Sequence, residues 1–365
     1  MKLVIFGLTF SSSWGNGHAT LWRGLCSALS RQGHRVVFFE RNTSYYETNR
    51  DVFCLPGGEL VIYDDWSDVQ PRARNEVSSA DAAIVTSYCP DALAATDIII
   101  SGGRALSVFY DLDTPVTLSR LRHGDGVSYI GKRGLTDFDL VLSYTGGEAL
   151  AALRNDLGAR RVIPLYGHVD PGVHRPAEAL GRPQFVLSYL GTYSADRQAA
   201  LEKLLTAPAR ERPDLRFVIG GAQYPQDFPW SPNIYFVRHL PPTAHPVFYA
   251  SSRLTLNVTR QPMADLGWCP SGRLFEATAC GVAVLSDVWE GLETFFTPGD
   301  EILVARDTAD ALAALELSDT ELQRVAAAAQ ERTLTGHTSE QRARELISAL
   351  STATAVPPRE FEGVS

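Results

Sequence analysis

The sequence has no excess of basic residues. Its 365 residues include 33 Lys and Arg against 42 Asp and Glu, which gives a formal net charge of −9. A protein that binds nucleic acid non-specifically needs clustered positive charge to neutralise phosphates, so no nucleic-acid partner is expected. With 45% hydrophobic and 21% charged residues, the composition is otherwise that of an ordinary globular protein.

Long apolar runs are also missing. The run Met1–Leu8 is soon interrupted by Ser11–Ser13. It is too short for a membrane span, and no small-residue cleavage pattern follows it. We therefore expect a buried first strand here and no transmembrane segment.

Patterns typical of disulfides and metal sites are missing as well. The five cysteines are an odd number and contain no Cys-x-x-Cys pair. They have no partnering histidine at zinc spacing, and His174, His239 and His245 form no ligand spacing of their own. No metal and no cofactor is expected, and the cysteine usage favours a reducing, cytoplasmic location.

Two common catalytic signatures are absent. A Gly-x-x-x-x-Gly-Lys-Ser/Thr loop would indicate an NTPase, and Gly-x-Ser-x-Gly would indicate a serine hydrolase of the usual α/β kind. Neither pattern occurs in the chain. After these exclusions, the sequence is that of an acidic protein that we expect to act on a small molecule.

The N-terminal half alternates short apolar runs with helical patterns. Thr20–Gln32 has one apolar face and is followed by Gly33, a helix terminator. Continuous apolar runs predict strands buried on both faces of a parallel sheet. The predicted strands are Lys2–Leu8, Arg35–Phe39, Leu60–Tyr63, Ala82–Thr86, Leu106–Tyr110, Leu140–Ser143 and Val162–Leu165. This pattern predicts a doubly wound α/β domain.

The C-terminal half repeats the same pattern. It predicts a helix at Ala195–Leu205 and strands at Phe185–Tyr189, Phe217–Ile219, Ile234–Val237, Leu254–Val258 and Val282–Leu285. A length of 365 residues exceeds what one core usually fills. The chain is therefore divided into an N-terminal Rossmann-like domain (1–168), a Pro- and Gly-rich linker (169–183), a C-terminal Rossmann-like domain (184–338), a terminal helix (339–350) and a flexible tail (351–365).

The segment Cys269–Gly281 predicts a helix that could hold an anion. Ser271 can cap its N-terminus, while Arg273 and Glu276 share one face. Unpaired N–H groups at a helix N-terminus attract a diphosphate, and a carboxylate one turn later can accept both hydroxyls of a ribose. The alternative is a surface Arg–Glu pair of little energetic value.

A glycine-containing loop follows the first strand of the N-terminal domain. Gly15, Asn16 and Gly17 let the backbone approach a ligand closely, and His18 can act as an acid, a base or a hydrogen-bond donor. The alternative is a polar turn with a structural histidine. The position at the carboxyl end of a strand favours function.

An Asp-x-Asp pair follows the strand Leu106–Tyr110. In single-domain, metal-dependent glycosyltransferases such a pair holds a divalent cation against a diphosphate, which would involve Asp111 and Asp113. In a two-domain protein the same strand end faces the cleft, where either carboxylate can bind acceptor hydroxyls or act as a base. A simple turn before Pro115 is the third interpretation. Single-domain enzymes of the metal-dependent kind have no second α/β domain, so the second domain predicted here favours binding of acceptor hydroxyls, or a base, over metal binding.

Several segments, in order along residues 160–315, resemble two-domain GT-B glycosyltransferases, particularly the group similar to the spore-maturation protein CgeB. Cys269–Gly281 is similar to their nucleotide-sugar-binding helix, and Leu165–Pro176 to their interdomain segment. The remaining matches are Tyr189–Arg197, Val218–Gly221, Asn233–Pro241 and Trp289–Leu292.

The resemblance implies a donor site in the C-terminal domain. It implies that Gly191 and Thr192 approach the donor phosphates and that Gly220, Gly221, His239 and Leu240 lie near the base, with Ser271, Gly272, Arg273 and Glu276 on the binding helix. Arg197 is the best side chain for phosphate neutralisation because its planar fork can bind two oxygens. Asn257 and Arg260 end a predicted strand and should also face the cleft. Many retaining relatives carry a glutamate eight residues before the ribose-binding one, where this chain has Trp268.

The expected function is metal-independent transfer of a sugar, of the hexosyl type, from a nucleotide-diphosphate donor to a hydroxyl or amine acceptor. A nucleotide-sugar epimerase on the same fold, and a non-catalytic nucleotide-sugar-binding protein, are the alternatives. The nucleotide, sugar, acceptor, stereochemistry and oligomeric state are left open by the sequence.

Overall fold

The structure is a computed structural model that describes residues 1–15, 17–177, 181 and 183–354. Two parallel sheets organise these residues, one of seven strands and one of six. The predicted architecture of two doubly wound α/β units is thereby confirmed. No described helix is both long and apolar enough to span a membrane.

The first sheet has the strand order β3-β2-β1-β4-β5-β6-β7. Apolar side chains on both faces of its strands pack under helices, so the sheet lies between two hydrophobic layers. Its strands are β1 (Lys2–Gly7), β2 (Arg35–Arg41), β3 (Glu59–Tyr63), β4 (Ala82–Thr86), β5 (Leu106–Asp111), β6 (Leu140–Ser143) and β7 (Val162–Pro164). Its helices are α1 (His18–Arg31), α2 (Ser44–Glu47), α3 (Trp66–Ser78), α4 (Ala92–Gly102), α5 (Thr114–His123) and α6 (Glu148–Asn155).

The second sheet has the order β10-β9-β8-β11-β12-β13 and is also covered on both faces. Its strands are β8 (Phe185–Leu190), β9 (Phe217–Gly221), β10 (Ile234–Arg238), β11 (Ser252–Asn257), β12 (Ala283–Ser286) and β13 (Leu303–Val304). The α-helices that follow β8 are α7 (Gln198–Leu201), α8 (Ala207–Glu211), α9 (His245–Ala250), α10 (Gln261–Leu266), α11 (Gly272–Ala279), α12 (Leu292–Phe295), α13 (Thr308–Leu315), α14 (Asp319–Gly336) and α15 (Ser339–Thr354). Short 3₁₀ turns occur at Ala195–Arg197 and Pro242–Ala244.

The predicted helix Ala195–Leu205 is longer and less regular in the structure. It starts as a 3₁₀ turn and contains a π-helical stretch at Glu202–Thr206 before α8 ends at Glu211. Pro208 lacks the N–H that would continue the α-helical hydrogen bonding, which accounts for the irregularity. Strand β13 was not predicted because it has only two residues.

The last helix returns to the first sheet. Ala343, Leu346 and Leu350 of α15 are buried in the same hydrophobic layer as Trp22 and Leu25 of α1. The helix continues to Thr354, four residues beyond the predicted end at 350. The predicted linker is described except for residues 178–180 and 182, and the tail from 355 onward lies outside the described residues.

Candidate functional site

A cleft of about 550 Å³ lies between the two sheets. It opens at the carboxyl ends of parallel strands, where ligands of such folds bind because loops and helix N-termini converge there. Of the residues predicted to form the site, those lining the cleft are Gly15, Gly17, His18, Asp113, Gly191, Thr192, Arg197, Gly221, His239, Leu240, Arg260, Ser271, Gly272, Arg273 and Glu276. Asp111, Gly220 and Asn257 do not line it, and Asn16 lies outside the described residues.

Two arginines give the C-terminal wall of the cleft its positive charge. Arg197 donates to the backbone oxygen of Thr192 over 3.3 Å, and burial lowers the pKa of its guanidinium below the ordinary value. Arg273 lies over the ring of Tyr189, with its guanidinium carbon 4.9 Å from the ring centre. Within the described part of the chain neither arginine forms an ion pair with a carboxylate. Both charges therefore remain available to an anion in the cleft.

Two residues set the position of the Arg273 side chain. One, Asn257, does not line the cleft, and the other, Gly191, lines it only with backbone. Asn257 is fully buried and accepts from Arg273 Nη1 over 3.4 Å, while its amide donates to Ser286 Oγ over 3.0 Å. Gly191 permits the close approach of the guanidinium, because a Cβ there would lie 2.6 Å from Arg273 Nη2. Asn257 thus positions the arginine and does not line the site as predicted.

Helix α11 presents its N-terminus to the same wall. The Ser271 side chain caps it by accepting from Arg273 N over 3.3 Å, as the sequence predicts. Leu274 and Phe275 are fully buried and anchor the helix to the core. Glu276, one turn along, faces the cleft with a side chain 16% exposed.

The carboxylate of Glu276 has two histidine neighbours that the sequence analysis set aside. His245 Nδ1 lies 3.7 Å from Glu276 Oε2, and His174 Nε2 lies 3.1 Å from His245 Nδ1. Burial lowers the pKa of His245 to about 4 and lowers that of His174 as well. The linear spacing of these histidines carried no signal, since the fold brings together residues 71 positions apart.

On the opposite wall, a histidine, a tyrosine and an aspartate are neighbours. The ring of His18, at the start of α1, lies 5.8 Å from the ring of Tyr88. Tyr88 donates its hydroxyl to Asp113 Oδ2 over 2.8 Å. Burial lowers the pKa of His18 to about 4, so its imidazole is neutral near pH 7 and has a lone pair that can accept a proton.

Asp111 points away from the cleft, contrary to its prediction as an acceptor-side catalytic residue. It is fully buried, and its Oδ1 accepts from Asp113 N over 3.0 Å and from Thr117 Oγ1 over 3.1 Å. Burial raises its pKa to about 6. Strand β5 ends at Asp111, and Asp113 lies in the turn that caps α5, so the turn and not the strand sets its direction, and only Asp113 lines the cleft.

Arg260 joins the two walls. It donates to Asp113 Oδ2 over 3.2 Å and, through Nε, to Asp196 Oδ2 over 2.8 Å. Burial raises the pKa of Asp113, and the nearby Arg260 opposes that rise. Arg260 thus lines the cleft as predicted but is already paired with two carboxylates, unlike Arg197 and Arg273.

Trp268, where the resemblance described above would place a second glutamate, packs between the domains. A Cβ on Gly147 would lie 2.3 Å from its indole, and one on Gly291 would lie 2.5 Å from it. The Trp268 carbonyl accepts from Gly146 N over 3.0 Å. This residue does not line the cleft, so its indole forms part of the interdomain contact.

At the far end of the cleft, loops of the two domains meet. The ring of Trp14 lies 4.3 Å from the ring of His239, and Gln223 donates to the hydroxyl of Tyr45 over 2.9 Å. Gly220 packs beneath this end, because a Cβ there would lie 2.8 Å from Leu240.

Several residues that line the cleft were not predicted from the sequence, because nothing in their local sequence pattern marked them. They are Tyr144, Tyr193, Gln223, His245, Thr259 and Met263.

Comparison with known proteins identifies the fold. A family model described as glycosyl transferase-like matches residues 197–348. A search of curated protein sequences finds no match to the chain. Among solved structures, sucrose-phosphate synthase from Thermosynechococcus elongatus is similar at a TM-score of 0.70 with 13% identity, covering 97% of this chain and 99% of that one.

Two further structures are similar over nearly their whole length. HepE from Anabaena, in complex with UDP and glucose, has a TM-score of 0.68 and 15% identity, covering 96% of this chain and 100% of that one. BGT of phage T4, in complex with UDP and Mn²⁺, has a TM-score of 0.63 and 14% identity, covering 98% and 100%. The two-domain architecture is therefore the GT-B fold that the sequence predicted.

Proposed function

We propose that the protein is a glycosyltransferase that takes a hexosyl group from a nucleotide-diphosphate sugar and transfers it to a hydroxyl or amine. The observation that carries this proposal is the pair Arg197 and Arg273, free of carboxylate partners within the described residues and directed at the cleft beside Glu276. Partly buried guanidinium groups without a counter-ion are costly, and a diphosphate would supply the opposite charge.

The mechanism assigns the donor to the C-terminal wall. Arg197, Arg273 and the N-terminus of α11 stabilise the negative charge that develops on the leaving diphosphate, and they do so without reorganising during the reaction. Glu276 accepts the ribose hydroxyls. The arginines supply the charge that a metal ion would otherwise provide, so the proposed transfer needs no metal.

The acceptor lies against the N-terminal wall in this proposal. The neutral imidazole of His18 takes the proton from the attacking hydroxyl or amine, and Asp113 binds acceptor hydroxyls while Tyr88 and Arg260 hold it in place. Closure of the two walls excludes water, which would otherwise hydrolyse the activated sugar. The similar structures of HepE and phage T4 BGT are complexes with UDP, which makes UDP-sugars the first donors to test.

The motif order along residues 160–315 further supports a place in the CgeB-like group, and the five unpaired cysteines support a location in a reducing cytoplasm.

An epimerase on the same fold is the second candidate. It would use the same donor wall, with water in place of the acceptor.

Thermal-shift screening with UDP, GDP, dTDP and CDP and their sugars tests the donor. A ligand at 100 times its dissociation constant stabilises the fold by about 2.7 kcal/mol, which raises the melting midpoint measurably. Release of the nucleotide diphosphate only when an acceptor is present supports transfer. Release of free 2-epimer with donor and water alone identifies an epimerase, and absence of any thermal shift contradicts the donor assignment.

A further inference from the structure

A cluster of two imidazoles and one carboxylate lies in the wall of the cleft. His174, His245 and Glu276 each offer one ligand atom, and the three atoms lie within 4.8 Å of one another. The individual separations include 3.1 Å between His174 Nε2 and His245 Nδ1 and 3.7 Å between His245 Nδ1 and Glu276 Oε2. Ligands of a tetrahedral zinc ion, with bonds of about 2.0–2.1 Å, are separated by about 3.3 Å, which is close to these values.

The hydrogen bonding of His245 fixes which of its nitrogens is free to coordinate. Its Nε2 lies 3.2 Å from the carbonyl oxygen of Leu240, and a carbonyl can only accept, so Nε2 carries the proton. Nδ1 is then a bare lone pair directed at the cluster. Metal-bound histidines in proteins characteristically donate their other N–H to a backbone carbonyl in this way.

His174 contributes a second, independent feature. Its side chain is 1% exposed, and its Nδ1 is buried without a hydrogen-bond partner. Without a metal ion, His174 Nε2 carries the proton and donates to His245 Nδ1 over 3.1 Å; a move of that proton to the unpartnered Nδ1 frees the Nε2 lone pair for a metal ion.

We propose that His174 Nε2, His245 Nδ1 and Glu276 Oε2 form a binding site for a divalent transition-metal ion of the zinc class. Imidazole ligands favour Zn²⁺ over Mg²⁺, which prefers oxygen. His245 and Glu276 line the cleft, so the ion enters from that side and its fourth position is open to water. The ion occupies a carboxylate oxygen needed by the donor ribose. Zinc therefore inhibits transfer by competing with the donor, a consequence that rests on the proposed function, whereas zinc binding itself does not.

The test uses the untagged, nucleotide-free chain and isothermal titration with Zn²⁺ and, separately, Mg²⁺. We expect one Zn²⁺ per chain and no comparable Mg²⁺ binding. His174→Gln removes a metal ligand but leaves the cleft lining unchanged, because His174 does not line the cleft. It should lower the affinity for Zn²⁺ about 10–100-fold. His123→Gln, on an exposed histidine, and Cys54→Ser, on an exposed thiol, should bind as the parent does. Unchanged zinc affinity in a folded His174→Gln protein, or no binding by the parent, overturns the proposal.

A spectroscopic measurement keeps the test decisive if His174→Gln does not fold. Co²⁺ in a tetrahedral site of this composition absorbs visibly more strongly than aqueous Co²⁺, and Zn²⁺ should displace it from the parent protein. An aqueous-type Co²⁺ spectrum contradicts the site. Adding the nucleotide diphosphate identified by thermal shift should lower the affinity for Zn²⁺. If the Zn²⁺ affinity is unchanged while the nucleotide is bound, the metal site stands, and Glu276 is not the ribose ligand.

Discussion

The two walls of the cleft differ in how they hold their charged groups. The C-terminal wall presents Arg197 and Arg273 without carboxylate partners among the described residues, backed by buried groups such as Asn257. The N-terminal wall holds Asp113 in hydrogen bonds to Tyr88 and Arg260. The two arginines have no carboxylate counter-ion among the described residues, whereas Asp113 has one, Arg260, which the C-terminal domain supplies. The proposed donor side therefore calls for an anionic ligand, whereas on the proposed acceptor side the Asp113 carboxylate already has its counter-ion.

The largest expected effect comes from the N-terminal wall. His18→Ala should lower turnover about 10²–10⁴-fold because it removes the proposed base. The affinity for the nucleotide diphosphate should stay within about threefold, less than 1 kcal/mol, since the donor binds the other wall. Steady-state kinetics and calorimetry measure the two quantities, with His123→Ala as the control on an exposed histidine.

The pH profile of the parent sharpens the same prediction. Because the pKa of His18 is about 4, the imidazole remains a base at neutral pH and is lost as a base only when the pH falls through about 4. Turnover should therefore show no inflection near pH 6.5 from this group. Loss of nucleotide binding in His18→Ala would instead mean that the two walls have been assigned to the wrong substrates.

Next in size is the effect of removing a cleft arginine. Arg273→Gln should lower kcat/KM about 10²–10³-fold, because it withdraws a preorganised cation from the leaving diphosphate. Arg324→Gln is the matched control, since Arg324 is exposed and pairs with Asp300 on the surface of the same domain. Equal activity of the two variants would remove the distinction between the walls.

A smaller effect is expected at the ribose position. Glu276→Gln keeps the side-chain volume but loses the charge that strengthens hydrogen bonds to both ribose hydroxyls, so donor affinity should fall about 10–100-fold. Leu274 and Phe275 carry the packing of α11, so the melting curve should be preserved. Calorimetric titration compares this variant with Glu293→Gln, on an exposed glutamate. Unchanged donor affinity would make Glu276 a wall residue without a role in the donor site.

Asp111, which is buried in the N-terminal domain and does not line the cleft, offers a test of stability. Burial raises its folded-state pKa to about 6 from the ordinary 3.8, so the stability it contributes is present at low pH and is lost as the pH rises through about 6. Asp111→Asn carries no charge and should be about 1–2 kcal/mol more stable than the parent at pH 8, where the buried carboxylate is ionised. Melting midpoints from pH 4 to 8 measure this, beside the exposed Asp125→Asn. A parallel pH dependence in parent and Asp111→Asn would contradict it.

The smallest expected effect is that of chelation. EDTA should leave the transfer rate unchanged, since the arginines neutralise the diphosphate, and should raise it only where traces of Zn²⁺ inhibit. Activity with and without EDTA, followed by added Mn²⁺, measures this. If EDTA abolished the transfer activity and Mn²⁺ restored it, Arg197 and Arg273 would not be sufficient to neutralise the diphosphate. Asp113 would then again be a candidate metal ligand.

The sequence predicted residues on both walls of the cleft, including His18 and Asp113 on the N-terminal wall and Arg273 and Glu276 on the C-terminal wall. Arg273, Glu276 and their cap Ser271 lie within one continuous helix, so local periodicity placed them correctly. Asp111 does not line the cleft and Asp113 does, because the strand ends at Asp111 and the turn that follows it sets the direction of Asp113, which a sequence pattern does not show. The pairing of His174 with His245 depends on contacts between distant segments, for which a single sequence gives no signal.

The return of α15 to the first sheet affects how the protein is made. Trp22 and Leu25 of α1 lie in a hydrophobic layer that is completed only by Leu346 and Leu350. A ribosome adds about 5–20 residues per second, so roughly 10–40 s separate synthesis of the N-terminal domain from arrival of its last helix. During that interval the growing chain carries an uncovered apolar face. Truncation before residue 339 would make that exposure permanent, which would remove the N-terminal domain from solution through aggregation or degradation even though its own sheet is intact.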